Sequence, residues 1–370
     1  MKARLIRKPI TFYSAHRSNL AIALVAVGAI VVVGAILLGV RAAGSVVPKE
    51  AESGTRATNA ALIADTSASG GSAIKFTAPV VQGACASATP KVAGGADLWG
   101  GCFPGATTTG VPTGTTLTSY SGPCTITTAN TVIDAKNITC DIEVRASGVQ
   151  IKRSKITGII WIDQVAYPSA YLTISDTEIN AGNNAGTALS QGNFTAIRVH
   201  LYGGNRSSYC DNNCTIQDSY VHGQFWDNSG SYHESGIRMG QFTTVIHNSV
   251  RCDAPQIPPD GGCSAGLTGY GDWAPITNNL IKRNLFIEGT GAFCAYGGSS
   301  PGKAFSNAAH DISFIDNIFQ KGPSGNCAIY DSHDAFCTFS NGVYTRPPGN
   351  VWTNNLWDDG SVVPDCPPNW

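Results

Sequence analysis

Thr215-Ile216-Gln217-Asp218-Ser219-Tyr220-Val221-His222-Gly223-Gln224 is the clearest copy of a unit that recurs along the chain. Its pattern is an apolar residue, a spacer, Asp or a substitute, Ser or Asn, a spacer, and an apolar residue. Further copies run over Ile151–Ile156, Ile174–Ile179, Val245–Val250, Phe314–Phe319 and Trp352–Trp357, with a looser one at Ala196–Leu201. The first intervals, Ile151 to Ile174, Ile174 to Ala196 and Ala196 to Ile216, are 23, 22 and 20 residues. Later ones lengthen to about 29 to 38, which fits one rung plus an inserted loop.

The apolar residues inside each copy are spaced for short strands, and Val, Ile, Thr, Ser and Asn dominate. A unit of about 22 residues cannot bury its own apolar side, but stacked on a neighbour at about 4.8 Å it can. Second short strands are expected at Thr187–Leu189, Gly236–Gly240, Gly266–Thr268 and Cys327–Tyr330. Two or three short strands per turn with Gly and Asn at the corners describe an all-β chain, a parallel β-helix. The recurring Ser and Asn suit side-chain hydrogen-bond ladders between equivalent corners.

Phe103-Pro104-Gly105-Ala106-Thr107-Thr108-Thr109-Gly110-Val111-Pro112 and His233-Glu234-Ser235-Gly236-Ile237-Arg238-Met239-Gly240 carry a resemblance. Over roughly residues 100 to 358 the chain resembles secreted bacterial right-handed β-helix proteins of the pectate-lyase-like superfamily. That resemblance implies a right-handed solenoid. It implies no single activity, because lyases, hydrolases, tailspikes and adhesins share the architecture. Glu234–Gly240 is also similar to a short G-E-x-I-R-x-G stretch of alginate and chondroitin lyases. It does not define a calcium site, and no cofactor is implied. The paired-Asp and G-H-G pattern of polygalacturonases is missing. Trp161-Ile162-Asp163-Gln164 is similar to a pectate-lyase strand motif with Gln in place of His, and reads as a plain rung.

Residues 1–19 are basic, and Leu20 to Val40 is an uncharged run long enough to cross a bilayer. An uncleaved signal-anchor with the remainder outside the cell is the expectation, and a cleaved signal peptide is the rival. Residues 41–84 read as an Ala/Ser/Gly-rich tether. Within it, Glu50–Gly54 and Ala68–Phe76 resemble the opening of a β-sandwich carbohydrate-binding module, too short to build its core. Residues 85–370 form the β-helix domain, with 103–118 expected to cap the first rung and the Pro-rich tail ending in Trp370 to close the other end.

All twelve cysteines follow residue 84, on the predicted outer side, which argues for disulfides. Cys210 with Cys214, Cys252 with Cys263, Cys124 with Cys140 and Cys294 with Cys327 are plausible partners. The Cys-x3-Cys spacing lacks a second ligand pair for zinc, and no metal is assigned. With 24 basic and 25 acidic residues the chain has no basic stripe for nucleic acid. The expected partner is a polysaccharide or cell-surface glycan, together with the membrane through residues 20–40.

The densest cluster of chemistry-bearing residues lies between His222 and Trp273, much of it on the insertions that break the repeat. If Ile237 and Met239 face the core, Arg238 faces out, and Gly236 and Gly240 leave either an open floor or tight turns beside it. Two reactions on an acidic polysaccharide fit. In β-elimination, Arg238 neutralises a uronate carboxylate, His233 or Lys303 takes the α-proton, and Tyr270 protonates the leaving oxygen. In hydrolysis, two of Glu234, Asp253, Asp260 and Asp272 flank the glycosidic bond. Structural alternatives stand beside each role. His233 and Glu234 can anchor their loop to Arg238. His222 can stack in a column with Tyr202 and Arg251. Asp260 sits in a strong Pro-Pro-Asp-Gly-Gly turn signal. Trp226 and Trp273 can be sugar platforms or loop packing. The chain therefore reads as a tethered, extracellular, polysaccharide-engaging β-helix: a lyase, a non-catalytic glycan-binding or adhesion protein, or a hydrolase.

Overall fold

A computed structural model describes Ala60–Ala64, Ser72–Phe76, Cys85, residues 91–224 and residues 229–366. The expected anchor at 20–40, most of the tether and Trp226 lie outside the described residues. Among the described residues no helix is long and apolar enough to cross a membrane. The chain divides into two compact units, Met1–Pro79 and Val80–Trp370. In the first, Ala60–Ala64 pairs antiparallel with Ser72–Phe76, with Ala60 opposite Phe76.

The second unit is a parallel β-helix whose strands lie on three faces. The first face includes Ile142–Val144, Ile160–Ile162, Gly262–Thr268, Phe293–Tyr296 and Asp331–Asp334. The second includes Val149–Lys152, Leu172–Ser175, Thr277–Lys282, His310–Ile315 and Val351–Thr353. The long strands Thr187–Ile197, Arg206–Gln217 and His233–Ile246 bend to serve both. The third face is a ten-stranded ladder from Thr118–Ser119 to Leu356–Trp357. Cys327–Tyr330, expected as a strand, is a bend; the strand of that coil begins at Asp331.

Register places the sequence copies on one another. Ile151, Ile174, Ala196, Ile216, Val245, Ile281, Phe314 and Trp352 form one column. Ile156, Ile179, Leu201, Val221, Val250, Phe286, Phe319 and Trp357 form a second. Ile281–Phe286 is thus a further rung, missing from the copies read in the sequence. Nearly all of these side chains are buried, each fully buried Val, Leu, Ile or Phe contributing about 1.5–3 kcal/mol of transfer free energy.

Between the two columns the chain turns through one residue at positive φ: Arg153, Asp176, Arg198, Asp218, His247, Arg283, Asp316 and Asn354. In most rungs the next residue is a buried ladder member: Ser154, Thr177, Ser219, Asn248, Asn284, Asn317 or Asn355. Asn248 Nδ2 donates to Asn284 Oδ1 at 3.0 Å, Asn284 to Asn317 at 3.0 Å and Asn317 to Asn355 at 2.9 Å. Each also donates to a carbonyl of the preceding rung, as Asn284 does to Val245 at 2.8 Å. The ladder satisfies polar groups that the turn would otherwise bury without partners, and this offsets the roughly 1 kcal/mol cost of a left-handed residue.

Residues 91–117 do not cap the first rung. They run along the third face, from the late coils back to the early ones. Gln320 Nε2 donates to Lys91 O at 2.9 Å, and Phe103 packs on Leu285 and Ile318. Further on, Gly110 N donates to Arg198 O at 3.0 Å. Gly110, at φ +77°, lies so close to the sheet that an added Cβ would meet His200 Cβ at 3.2 Å. His247 bonds this strap in place through Asp97 at 3.2 Å. At the other end Val363 is buried, and Val363 O accepts from Trp352 Nε1 at 2.9 Å, so the described part of the tail does cover the last coil.

Six disulfides join Cys85–Cys102, Cys124–Cys140, Cys210–Cys214, Cys252–Cys263, Cys294–Cys327 and Cys337–Cys366. They include all four pairs expected from spacing, and their number fits an oxidising compartment.

Candidate functional site

Ile237 and Met239 are fully buried, and alternation turns Arg238 outward on the first face. Its guanidinium lies 5.2 Å from the ring centres of both Tyr209 and Tyr270. Arg238 Nη2 donates to Asp272 Oδ2 at 2.8 Å, and Lys303 Nζ reaches Asp272 Oδ1 at 3.1 Å. Lys303 also lies 5.8 Å from the Tyr270 ring centre. One carboxylate therefore bridges two cations beside two phenol rings. Register explains half of this group, because Tyr209 pairs with Arg238 on adjacent coils. The insertion after Thr268 brings Tyr270 and Asp272, and the segment before His310 brings Lys303.

A small pocket beside Arg238 is lined by Tyr209, Asp211, Asp272 and Trp273. Asp211 accepts from Tyr209 Oη at 3.1 Å and from Gln164 Nε2 at 2.5 Å. Burial, then the Asp211 charge, pushes the Tyr209 phenol up to about 12. Burial raises Tyr270 as well, so both hydroxyls stay protonated donors at neutral pH. Trp273, 80 % exposed, stands at the rim.

The glycines beside Arg238 are not an open floor. A Cβ at Gly236 would meet Gly266 O at 2.5 Å, and one at Gly240 would meet Asp211 O at 2.2 Å. They are glycine because backbones approach there.

His233 lies five residues before Arg238 on the same strand, roughly 16 Å away at 3.3 Å per residue. It does not join the Arg238 group. Its Nε2 pairs with Asp260 Oδ2 at 3.1 Å on the edge of an open depression of about 410 Å³. Asp260 occupies the predicted turn, closed by a bridge between Ile257 and Gly261. Glu234 is fully buried, next to a bulge, and its charge acts on Arg206 rather than presenting to solvent. Asp253 accepts from Gly223 N at 2.7 Å at a corner. His222 belongs to the third face, its ring 5.9 Å from Tyr202, 4.2 Å from Tyr220 and 5.0 Å from His200.

Tyr296 connects the two parts of the first face. It lines the His233 depression, and its ring lies 5.3 Å from that of Tyr270. Phe293 follows at 5.4 Å from Tyr296, and Tyr330, 68 % exposed, at 5.8 Å from Phe293. Tyr209, Arg238, Tyr270, Tyr296, Phe293 and Tyr330 thus make a row across successive coils. Reading by motif found Arg238 and Tyr270 but not Tyr209, Asp211, Tyr296 or Tyr330. One signal was available: Tyr209 and Arg238 each lie seven residues before an inward residue of the repeat, Ile216 and Val245.

No protein-family model matches the chain, and no curated protein or solved structure matches it.

Proposed function

We propose that the first face binds an extended acidic polysaccharide, its sugar rings packing on the row from Tyr209 to Tyr330 and its anionic groups meeting Arg238 and Lys303. The carrying observation is that row: contiguous aromatic rings with a pair of cations at one end, on a rigid ladder. Flat apolar ring faces suit sugar rings, while phenol hydroxyls and cations supply directional contacts. In this reading the chain is a member of the pectate-lyase-like superfamily, displayed outside the cell on the predicted anchor at 20–40. The full chain is tested against acidic and neutral polysaccharides by affinity electrophoresis. Retention by acidic glycans, lost in a Tyr296→Ala/Tyr330→Ala variant, supports the proposal. No retention by any glycan, or retention unchanged in the variant, rejects it.

A second reading is favoured by the meeting of Lys303, Arg238 and Tyr270: cleavage of the same polymer by β-elimination. Lys303, as its neutral amine, is then the base, Arg238 the partner of the uronate carboxylate, and Tyr270 the proton donor to the leaving oxygen. His233, in the separate depression, serves binding. Ultraviolet absorbance of an unsaturated uronate product, abolished in Arg238→Ala, is the expected signal. Retention without that absorbance leaves a binding protein.

A further inference from the structure

On the third face, away from the aromatic row, two histidines of neighbouring coils face each other. His200 pairs with Tyr220 in the parallel ladder, and His222 lies two residues beyond Tyr220. Their Nε2 atoms are 2.8 Å apart, while the ring centres are 5.0 Å apart and the planes differ by 25°. The rings therefore point their Nε2 edges at each other. One Nε2–H donates and the other Nε2 accepts, so the accepting ring carries no proton on Nε2.

The surroundings keep both rings neutral. Burial, then the other imidazole, lowers His200 to about 4, and burial lowers His222. The charged groups facing them are Glu178 and Lys155 at His200, and Asp253 and Arg251 at His222. Each histidine thus faces one carboxylate and one cation. Glu178 is itself held by Tyr202 Oη and, at 3.0 Å, by Lys155 Nζ. Both histidines remain partly exposed, so an ion and its waters can reach them.

We propose that His200 and His222 form a two-nitrogen binding site for a divalent copper ion. Neutral imidazole nitrogens held close together on rigid strands are the donors that late first-row metals prefer, and Cu²⁺ heads the affinity order. The 2.8 Å separation is that of the hydrogen-bonded pair; the choice of Cu²⁺ follows from its place at the head of the affinity order for imidazole nitrogens. The two rings swing outward so that both lone pairs converge on the ion. The donor ring moves its hydrogen from Nε2 to Nδ1 through solvent, so no net proton is released. Among the described residues no third His, Cys, Asp or Glu completes the set, since the one larger group contains the disulfide-bonded Cys337 and Cys366. Water fills the remaining positions.

The test is Cu²⁺ titration of the purified full chain, followed by electron paramagnetic resonance and calorimetry. A stoichiometric tetragonal signal split by two imidazole nitrogens is expected, with Zn²⁺ binding more weakly. His200→Gln and His222→Gln, each verified as folded by circular dichroism, should each weaken Cu²⁺ binding on the order of tenfold or more. Equal Cu²⁺ uptake by the chain and both variants, or a spectrum without two nitrogen ligands, overturns the proposal.

Discussion

Arg238 Nη2 donates to Asp272 Oδ2 at 2.8 Å, and the other oxygen of the same carboxylate is held by Lys303 at 3.1 Å. Asp272 thus occupies the position an anionic group of a ligand would take between these cations. It sits on an insertion next to Gly271, outside the strand ladder, and it is replaceable without disturbing a rung.

Asp272→Asn should therefore tighten binding of acidic polysaccharides. Each released contact at a partly exposed pair is worth about 0.5 kcal/mol, so affinity rises roughly fivefold. The gain should shrink with added salt and be absent for neutral glycans. Affinity electrophoresis at two ionic strengths measures it, and a loss of affinity for acidic glycans would contradict the assigned role.

Tyr330 is exposed and touches only Phe293 among the described aromatic rings. Tyr330→Ala should leave the thermal midpoint nearly unchanged while weakening polysaccharide binding by about threefold to tenfold, the worth of one ring contact. Calorimetry on the ligand and a melting curve separate the two effects.

Asn284 accepts from Asn248 N at 2.9 Å and donates to Val245 O at 2.8 Å, all within the core. Asn284→Leu removes both partners and leaves buried polar groups unpaired, at about 1–3 kcal/mol each. A fall of several degrees in the melting midpoint is expected. Asn354→Ala, on the exposed side of the same kind of turn, should cost much less. Denaturant midpoints of the two variants compare them directly.

His247 is bonded through Nδ1 to Asp218 at 2.7 Å and through Nε2 to Asp97 at 3.2 Å. Burial acts to lower its pKa, but the two carboxylates overcome this and hold it above the usual 6.5. The raised value in the folded state means that this clamp contributes fully below about pH 6.5 and is lost as pH rises through the folded value. Amide exchange in residues 91–105 should accelerate from pH 6 to pH 9 beyond its intrinsic rate, and His247→Gln should flatten the excess. A strap whose protection is independent of pH would exclude the clamp.

The repeat was legible because it is local. An apolar residue, a left-handed Asp, Arg or His, a Ser or Asn and a second apolar residue are all adjacent in sequence, and each rung repeats the same backbone problem. The rung at Ile281–Phe286 follows the same pattern, with Arg283 at the position Arg153 holds in the Ile151–Ile156 copy and Asn284 continuing the ladder. The disulfide partners were legible where spacing was short or bridged neighbouring coils.

The candidate site was legible only in part. Arg238 and Tyr209 sit at equal offsets from the repeat, so their contact follows from register. Thr268 begins an insertion before its rung resumes at Ile281, and counting residues fails there. Lys303 meets Asp272 only because two such insertions fold over the same coil.

By itself the sequence determined an all-β stack of short rungs, the facing of its inward columns and the oxidising setting implied by paired cysteines. These depend on alternation and near-neighbour chemistry. Only the tertiary structure decided that residues 91–117 lie along the third face, that His233 stands apart from Arg238, and that His200 and His222 meet. Such contacts depend on which coils the loops return to, and loop length is not encoded in the repeat.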